Sequence, residues 1–432
     1  MKPILVISMM SVCIVFQSAT AQTTWQKHPD NPVLRFWTGD VDDPNGYKYA
    51  LDPAVLVDRS NLYHMWFTSC AFGYGTSFSV SEAFSLDMVR WFTYFKNPVL
   101  VHGPAGTWDE RGVRPMSVVR DSTGYKMYYL GFTNASHNAI GLATSPDGMT
   151  WTKCPTNPVL DAGPRGAWDS VQASLACVCF DGSTYSLYYT GTNGSRVVIG
   201  LATSHDGIVW TRYPGNPVLD AGLAGSWDDH AAQAPAVVKA GGLFHMFYNG
   251  NNISPDVNAF HIGYAFSHDG IHWTKCSGNP VLSMGNPSEW DGQSLGTMAV
   301  LYRDRKFHLW YSGLGMQPGY PLSWQTGYAS SDSTFVDSVQ QADAPADYLL
   351  SQCYPNPFNP VTTIIYELPT QGHVTLKVFD VLGREVTTLV DRVEGPGNKS
   401  VQFDASKYAS GAYYYRLTAG AFVQTKKLLL LR

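Results

Sequence analysis

Trp151-Thr152-Lys153-Cys154-Pro155-Thr156-Asn157-Pro158-Val159-Leu160 carries the phrase that decides the fold: a tryptophan and, six residues later, Asn-Pro-Val-Leu. The same phrase starts at Trp25, Trp91, Trp210 and Trp273, giving periods of 66, 60, 59 and 63 residues. A long, nearly fixed period means one supersecondary unit repeated along the chain. Around each copy lie runs of β-branched and aromatic residues bounded by Gly, Asp or Asn, as in Leu175 to Phe180, Tyr185 to Tyr189 and Ile199 to Thr203. These read as about four short strands per unit. No segment within the repeats sustains a helical period. Four-stranded units repeated radially are propeller blades, so five copies predict an all-β, five-bladed β-propeller. The last copy, Ser330-Ser331-Asp332-Ser333, lacks the closing tryptophan, whereas Trp25 to Leu34 is a closing phrase with no blade before it. The N-terminal strand is therefore expected to complete the last blade and cover its open edge.

At 432 residues the chain exceeds one typical domain. Residues 1–21 read as a secretory signal: Lys2, an apolar stretch from Ile4 to Phe16, then Ala19-Thr20-Ala21. The stretch is shorter than the roughly 20 residues needed to span a bilayer, and no other transmembrane candidate appears. The propeller is expected over 22–336 and a polar linker over 337–347. A second module, 348–432, opens on Tyr354-Pro355-Asn356-Pro357-Phe358-Asn359-Pro360 and continues as alternating strands, which suggests a small β-sandwich.

Net charge is −5 with no basic run, which argues against nucleic acid as a partner. Aromatic content is 13%, enough to fill strands and leave planes for stacking on sugar rings. Six of the seven cysteines lie beyond the signal. Cys154 and Cys276 fall on outer strands of different blades. Cys177 and Cys179 are two apart on one strand, a poor geometry for a disulfide. A monomer is expected.

Ser145, Ser204 and Ser267 each begin Ser-x-Asp-Gly-x-x-Trp, which resembles the Asp-box of sialidases, one residue shorter; Ser85 begins a variant. A residue present in nearly every blade cannot mark one pocket, so these Asp residues, and those of Trp108-Asp109, Trp168-Asp169, Trp227-Asp228 and Trp290-Asp291, are read as scaffold. The C-terminal module closely resembles the type A sorting domain of type IX secretion cargo. That resemblance implies secretion or surface attachment through the type IX machinery, after passage through the periplasm and outer membrane.

Function is sought where the blades differ. Counting from Trp-Asp and from the apolar run, the starts of the innermost strands align Asp52, Arg114, Ser174, Ala234 and Gly296, and only the first is a carboxylate. Asp52-Pro53 followed by Tyr63-His64-Met65-Trp66-Phe67 resembles the first blade of the five-bladed glycoside hydrolases, families 32, 43, 62, 68 and 130. The resemblance implies a carbohydrate substrate, with Asp52 as base or nucleophile. The superfamily's carboxylates of blades 2 and 3 are replaced by Arg114 and Ser174. Glycoside hydrolysis also needs a proton donor, for which Glu110 is the candidate and Asp229 the second choice. Arg111, Arg114, Gln172, His230, Gln233 and Gln293 are candidate substrate-binding residues, because two arginines can grip an anionic sugar or a phosphate. The arginines pairing inside the protein stays an open alternative. His230 reads as a base, a ligand of a channel calcium, or a satisfied pocket histidine. Asp43-Pro44-Asn45-Gly46 imitates the invertase motif but lies too far from Tyr63 to share its strand pair; with Asp40 and Asp42 it is a loop, either a weak cation site or a solvated acidic turn. No metal is assigned as a catalytic cofactor, and a structural calcium is left open. The alternatives to hydrolysis are a family-130-like phosphorylase and a non-catalytic carbohydrate-binding propeller.

Overall fold

The computed structural model describes residues 25–35, 49–70, 77–133, 137–252, 259–317, 320–331, 348–353, 355–395 and 397–431. The expected signal, linker, and turn of Asp40, Asp42 and Asp43 to Gly46 lie outside them. Described residues form strands and turns, with no helix.

A three-residue strand β1 (Trp25–Lys27) precedes four-stranded groups. The first is β2 (Leu51–Val57), β3 (Tyr63–Ser69), β4 (Ser79–Ser85) and β5 (Phe92–Thr93). The second is β6 (Gly112–Asp121), β7 (Gly124–Phe132), β8 (Asn138–Ser145) and β9 (Thr152–Lys153). The third is β10 (Gln172–Phe180), β11 (Tyr185–Thr192), β12 (Val197–Ser204) and β13 (Thr211–Arg212). The fourth is β14 (Ala231–Ala240), β15 (Leu243–Asn251), β16 (His261–Ser267) and β17 (Thr274–Lys275). The third and fourth are joined by a single parallel pair, Val197 with Ala231. The fifth group has β18 (Ser294–Arg303), β19 (Lys306–Gln317) and β20 (Tyr320–Ser331), with β1 antiparallel to β20 as its fourth member. The leading strands touch in the order β2, β6, β10, β14, β18 and back to β2.

The repeated residues build this frame. Each phrase Asn exchanges two hydrogen bonds with the backbone of its group's third strand: Asn157 with Leu142, Asn216 with Leu201, Asn279 with Tyr264, and Asn31 with Tyr328. Each Trp-Asp carboxylate takes a cation from an outer strand: Asp109 from Lys153, Asp169 from Arg212, Asp228 from Lys275, and Asp291 from Lys27 on β1. So β1 supplies to the fifth group what β9, β13 and β17 supply to theirs. The Ser-x-Asp-Gly turns tie neighbouring groups together. Trp66 Nε1 donates to the Gly148 carbonyl, Tyr128 Oη to Gly207, Tyr188 Oη to Gly270, and Trp310 Nε1 to Met88. These bonds run from the second strands of the first, second, third and fifth groups to the next group's turn, and the last runs from the fifth group to the first.

Inside such a turn, Asp206 accepts from the backbone N–H groups of Ile208 and Val209. The Val209 and Ile208 amides hold its carboxyl below the usual range. A lowered folded value means stability present above the unfolded pKa of about 3.9 and lost as pH falls through the folded value. Asp206→Ala, which removes the acceptor of both bonds, is expected to cost about 1 kcal/mol at pH 7. Urea unfolding of both chains at pH 7 and pH 3 checks this; an equal gap at both values contradicts it.

The C-terminal module has two sheets. One holds β21 (Leu349–Leu350), β22 (Val361–Leu368) and β25 (Gly397–Asp404); the other holds β23 (Gly372–Phe379), β24 (Glu385–Glu394), β26 (Gly411–Ala419) and β27 (Phe422–Leu430). Strict alternation buries Val374, Leu376 and Val378 on one face, with Ile364, Tyr366 and Leu417 in the same core.

Candidate functional site

Each leading strand carries a bulge near its start, and the register shows what lies opposite. Leu51 pairs with Thr68, Arg114 with Leu130, Ser174 with Thr190 and Gln233 with Asn249. The residues that share Asp52's place are therefore Pro115, Leu175, Ala234 and Thr297. This corrects the sequence alignment: Arg114, Ser174 and Gly296 sit one position earlier, beside Leu51, six residues after their Trp, whereas Pro115, Leu175, Ala234 and Thr297 each lie seven after theirs. Asp52 stays the single carboxylate at its position. Asp52, Leu175 and Ala234 share a left-handed backbone, with φ of 56°, 38° and 51°, a conformation uncommon outside glycine.

Asp52 is 1% exposed. Its Oδ1 accepts from Arg114 Nη2 and Thr297 Oγ1, both at 2.6 Å. Its Oδ2 accepts from Arg114 Nε at 2.7 Å and Thr68 Oγ1 at 2.6 Å. The Asp52 N–H donates to Ser312 Oγ at 2.9 Å. Four donors fill the roughly four acceptor sites of an ionised carboxylate, and the Arg114 fork is bidentate. Burial opposes the Arg114 charge, but the Asp52 carboxylate outweighs it and raises the guanidinium pKa. Three groups of strands thus meet on one ion pair.

Above the pair lies a cavity of about 300 Å³, walled by the aromatic rings of Tyr49, Phe78 and Trp324 and floored by Asp52, Arg114, Thr297 and Ser312. That volume is at the small end for ligand sites. A throat ringed by Asp52-Pro53, Pro115-Met116, Leu175-Ala176, Ala234-Pro235 and Thr297-Met298 follows. Beyond it is a cavity of about 790 Å³ along the later halves of the leading strands, lined by apolar side chains together with Asp58, Arg59, Arg120, Asp121 and Lys239. The smaller space is the one whose polar groups converge on a single carboxylate.

Of the sequence candidates, the structure brings Asp52 and Arg114 together in this cavity. The others do not line it. Glu110 accepts from the Gly106 N–H at 2.6 Å and caps its own loop. Asp229 does the same for Gly225. Arg111 is exposed. Gln172 Nε2 donates to Ser174 Oγ at 2.6 Å. His230 and Gln293 are half-buried, their N–H groups bonded to the Asn251 and Leu314 carbonyls. Gln233 is half-buried opposite Asn249. Among the described residues, no group of three or more His, Cys, Asp or Glu could hold a metal.

Sequence reasoning missed Thr68, Thr297, Ser312 and the aromatic walls. Thr297 had a usable signal, since it occupies Asp52's repeat position. His64, part of the resemblance, is placed elsewhere: Nδ1 lies 3.0 Å from Glu82 and Nε2 3.6 Å from Asp58. Burial raises the Glu82 pKa against the pull of His64. In the fourth and fifth groups the matching histidines, His245 and His308, bond Tyr264 and Tyr328 hydroxyls instead, so this is a frame contact in variant form.

Residues 352–431 match the family described as the secretion system C-terminal sorting domain. The C-terminal module is such a sorting domain. The sorting domain marks the chain for type IX export, to the cell surface or the medium. An uncharacterized protein of Mycobacterium tuberculosis (strain CDC 1551 / Oshkosh) is 29% identical over 230 residues, covering 50% of this chain and 72% of its own length. A 1,2-beta-oligomannan phosphorylase of Thermoanaerobacter sp. (strain X514) is 29% identical over 108 residues, covering 24% of this chain and 36% of that one. Among solved structures, a glycosyl hydrolase from Bacteroides ovatus superposes with a TM-score of 0.54 at 16% identity, covering 72% of this chain and 94% of that one. At that identity the likeness is one of fold, and it places the strand groups ahead of the sorting domain with propeller-type proteins. No helix of the described residues is long and apolar enough to cross a membrane.

Proposed function

We propose that the chain is an exported glycan-processing protein whose five strand groups are the blades of a closed propeller, β1 completing the fifth. Support for closure comes from the cyclic contacts of the leading strands and from Trp310 bonding back to Met88. A sugar would sit in the aromatic-walled cavity, against the Asp52–Arg114 pair. The observation that carries this reading is Asp52, the single carboxylate among the described residues of the cavity wall, at a repeat position where the other blades carry none. In a hydrolase, Asp52 would act as base or nucleophile, with Arg114 orienting it. Glu110 would serve as acid only by leaving its bond to Gly106. Arg111, Gln172, His230, Gln233 and Gln293 would then contact outlying parts of a longer chain. The relatives bearing hydrolase and phosphorylase names make both reactions candidates for this site.

A second reading is favoured by a specific observation. All four acceptor sites of Asp52 are taken, and among the described residues no other carboxylate lines the cavity. Canonical glycoside hydrolysis uses two carboxyl groups, so a binding propeller without turnover fits the same geometry. Both readings meet one experiment. The full-length protein is assayed on mannan, arabinan and fructan oligosaccharides, with and without inorganic phosphate. Turnover lost by at least 100-fold in Asp52→Asn supports the enzyme; saturable binding with no product supports the binding propeller. Turnover undiminished in Asp52→Asn removes Asp52 from the chemistry.

A further inference from the structure

The second cavity holds a feature that the sugar site does not use. Cys177 and Cys179 both line it from β10, and both are half-buried free thiols. The other groups carry Ala54, Ser117, Ala236 and Ala299 at the place of Cys177. At the place of Cys179 they carry Leu56, Val119, Val238 and Leu301. Only one blade of the frame puts sulfur at these positions, and it does so at both.

The two side chains converge on one point. Cys177 Sγ lies 3.7 Å and Cys179 Sγ 3.3 Å from the same Val237 carbonyl oxygen, and the Val237 N–H donates to Cys177 Sγ at 3.2 Å.

Strand geometry decides what such a pair can do. Alternate residues on one face are about 6.6–6.8 Å apart and their Cβ vectors run side by side. A disulfide needs Cβ atoms about 3.5–4.5 Å apart, which this spacing rejects even in an oxidising compartment. A thiolate–cation–thiolate bridge is longer: two arms of about 2.3 Å span about 4.6 Å between sulfurs, within reach of side chains that lean together. Thiolates select soft cations. Among the described residues no third His, Cys, Asp or Glu completes a set, so tetrahedral zinc is excluded by ligand count.

We propose that Cys177 and Cys179 form a two-coordinate site for a soft monovalent cation, Cu(I) or its analogue Ag(I), entered through the larger cavity. Two S–H bonds release their protons to solvent, two sulfur lone pairs bind the cation, and no electron is transferred. The resulting site carries one negative charge; Arg59, Arg120 and Lys239, along with Asp58 and Asp121, line the same cavity.

The test is competition for Cu(I) against bicinchoninate, without oxygen, using the reduced full-length protein. The wild type is expected to withdraw one equivalent that Zn(II) does not displace. Cys177→Ala with Cys179→Val, the residues of the fourth blade, should weaken that equivalent at least 100-fold. Cys154→Ser with Cys276→Ser should keep it. Cys179→Val alone preserves the Val237–Cys177 bond and serves if the double variant fails to fold. The proposal is overturned if the wild type withdraws no copper, if the Cys179→Val protein binds as tightly as the wild type, or if air-exposed protein shows a Cys177–Cys179 disulfide by peptide mass.

Discussion

Replacing Asp52 with alanine is expected to cost about 3–5 kcal/mol of stability, the usual consequence of removing one partner of a buried ion pair. The backbone gives no reason for that loss. Ala234 holds the same left-handed conformation in the fourth group, with φ of 51° against 56°. What is lost is the acceptor for the Arg114 fork and for the Thr68 and Thr297 hydroxyls. Arg114 would be left as a charge without a partner in a site that opposes it. Asp52→Ala with Arg114→Met removes both charges and should recover most of the loss, because apolar replacements of buried pairs are often neutral. Urea unfolding followed by tryptophan fluorescence measures both variants. A single variant within about 1 kcal/mol of the wild type, or a double variant no better than the single, would show that the pair is not the keystone described.

Deleting residues 25–34 should have a larger effect still. It removes the pairing of β1 with β20, the Lys27–Asp291 ion pair, the two Asn31–Tyr328 bonds and the Leu34–Thr326 bridge. It also removes the edge-on contact of Trp25 with Phe247 at 5.3 Å. Asp291, 1% exposed, would be buried with no cation, and β20 would become an open edge. The loss is expected to be comparable with the whole stability of a domain, about 5–15 kcal/mol. Limited proteolysis reads it directly: the shortened chain should be cut throughout the strand groups under conditions that spare the full chain. Equal resistance of the two would contradict the role given to β1.

The strand groups were legible because the signal is redundant. Each Asn-Pro-Val-Leu, Trp-Asp and Ser-x-Asp-Gly recurs, and each recurrence turns out to hold the same bond in its own group. The role of Trp25 to Leu34 was legible from its lack of a blade, and Lys27 supplies the physical reason. The site was less legible. Asp52 stood out as the unmatched carboxylate, but Arg114 was read as free to grip a substrate anion when Asp52 already occupies its fork. For Arg114 the alternative of internal pairing is the one the structure shows, with Asp52 as the partner. The register was itself there to read: Pro115, Leu175, Ala234 and Thr297 each lie seven residues after their Trp, whereas Arg114, Ser174 and Gly296 lie six. Ser312 and Trp324 come from strands far from Asp52 in sequence, so only the packed frame assembles them, while Thr68 comes from the next strand of the same group.

The central claim is that a glycan occupies the cavity above Asp52 and Arg114. Trp324 tests it best, because it lines that cavity without belonging to the hydrogen-bond network around Asp52. The measurement is calorimetric titration of the panel oligosaccharides into full-length wild type and Trp324→Ala. The account predicts saturable one-to-one binding that Trp324→Ala weakens at least tenfold, with the melting temperature held within a few degrees. Binding of equal affinity in the two proteins, or none by the wild type to any sugar of the panel, would contradict it.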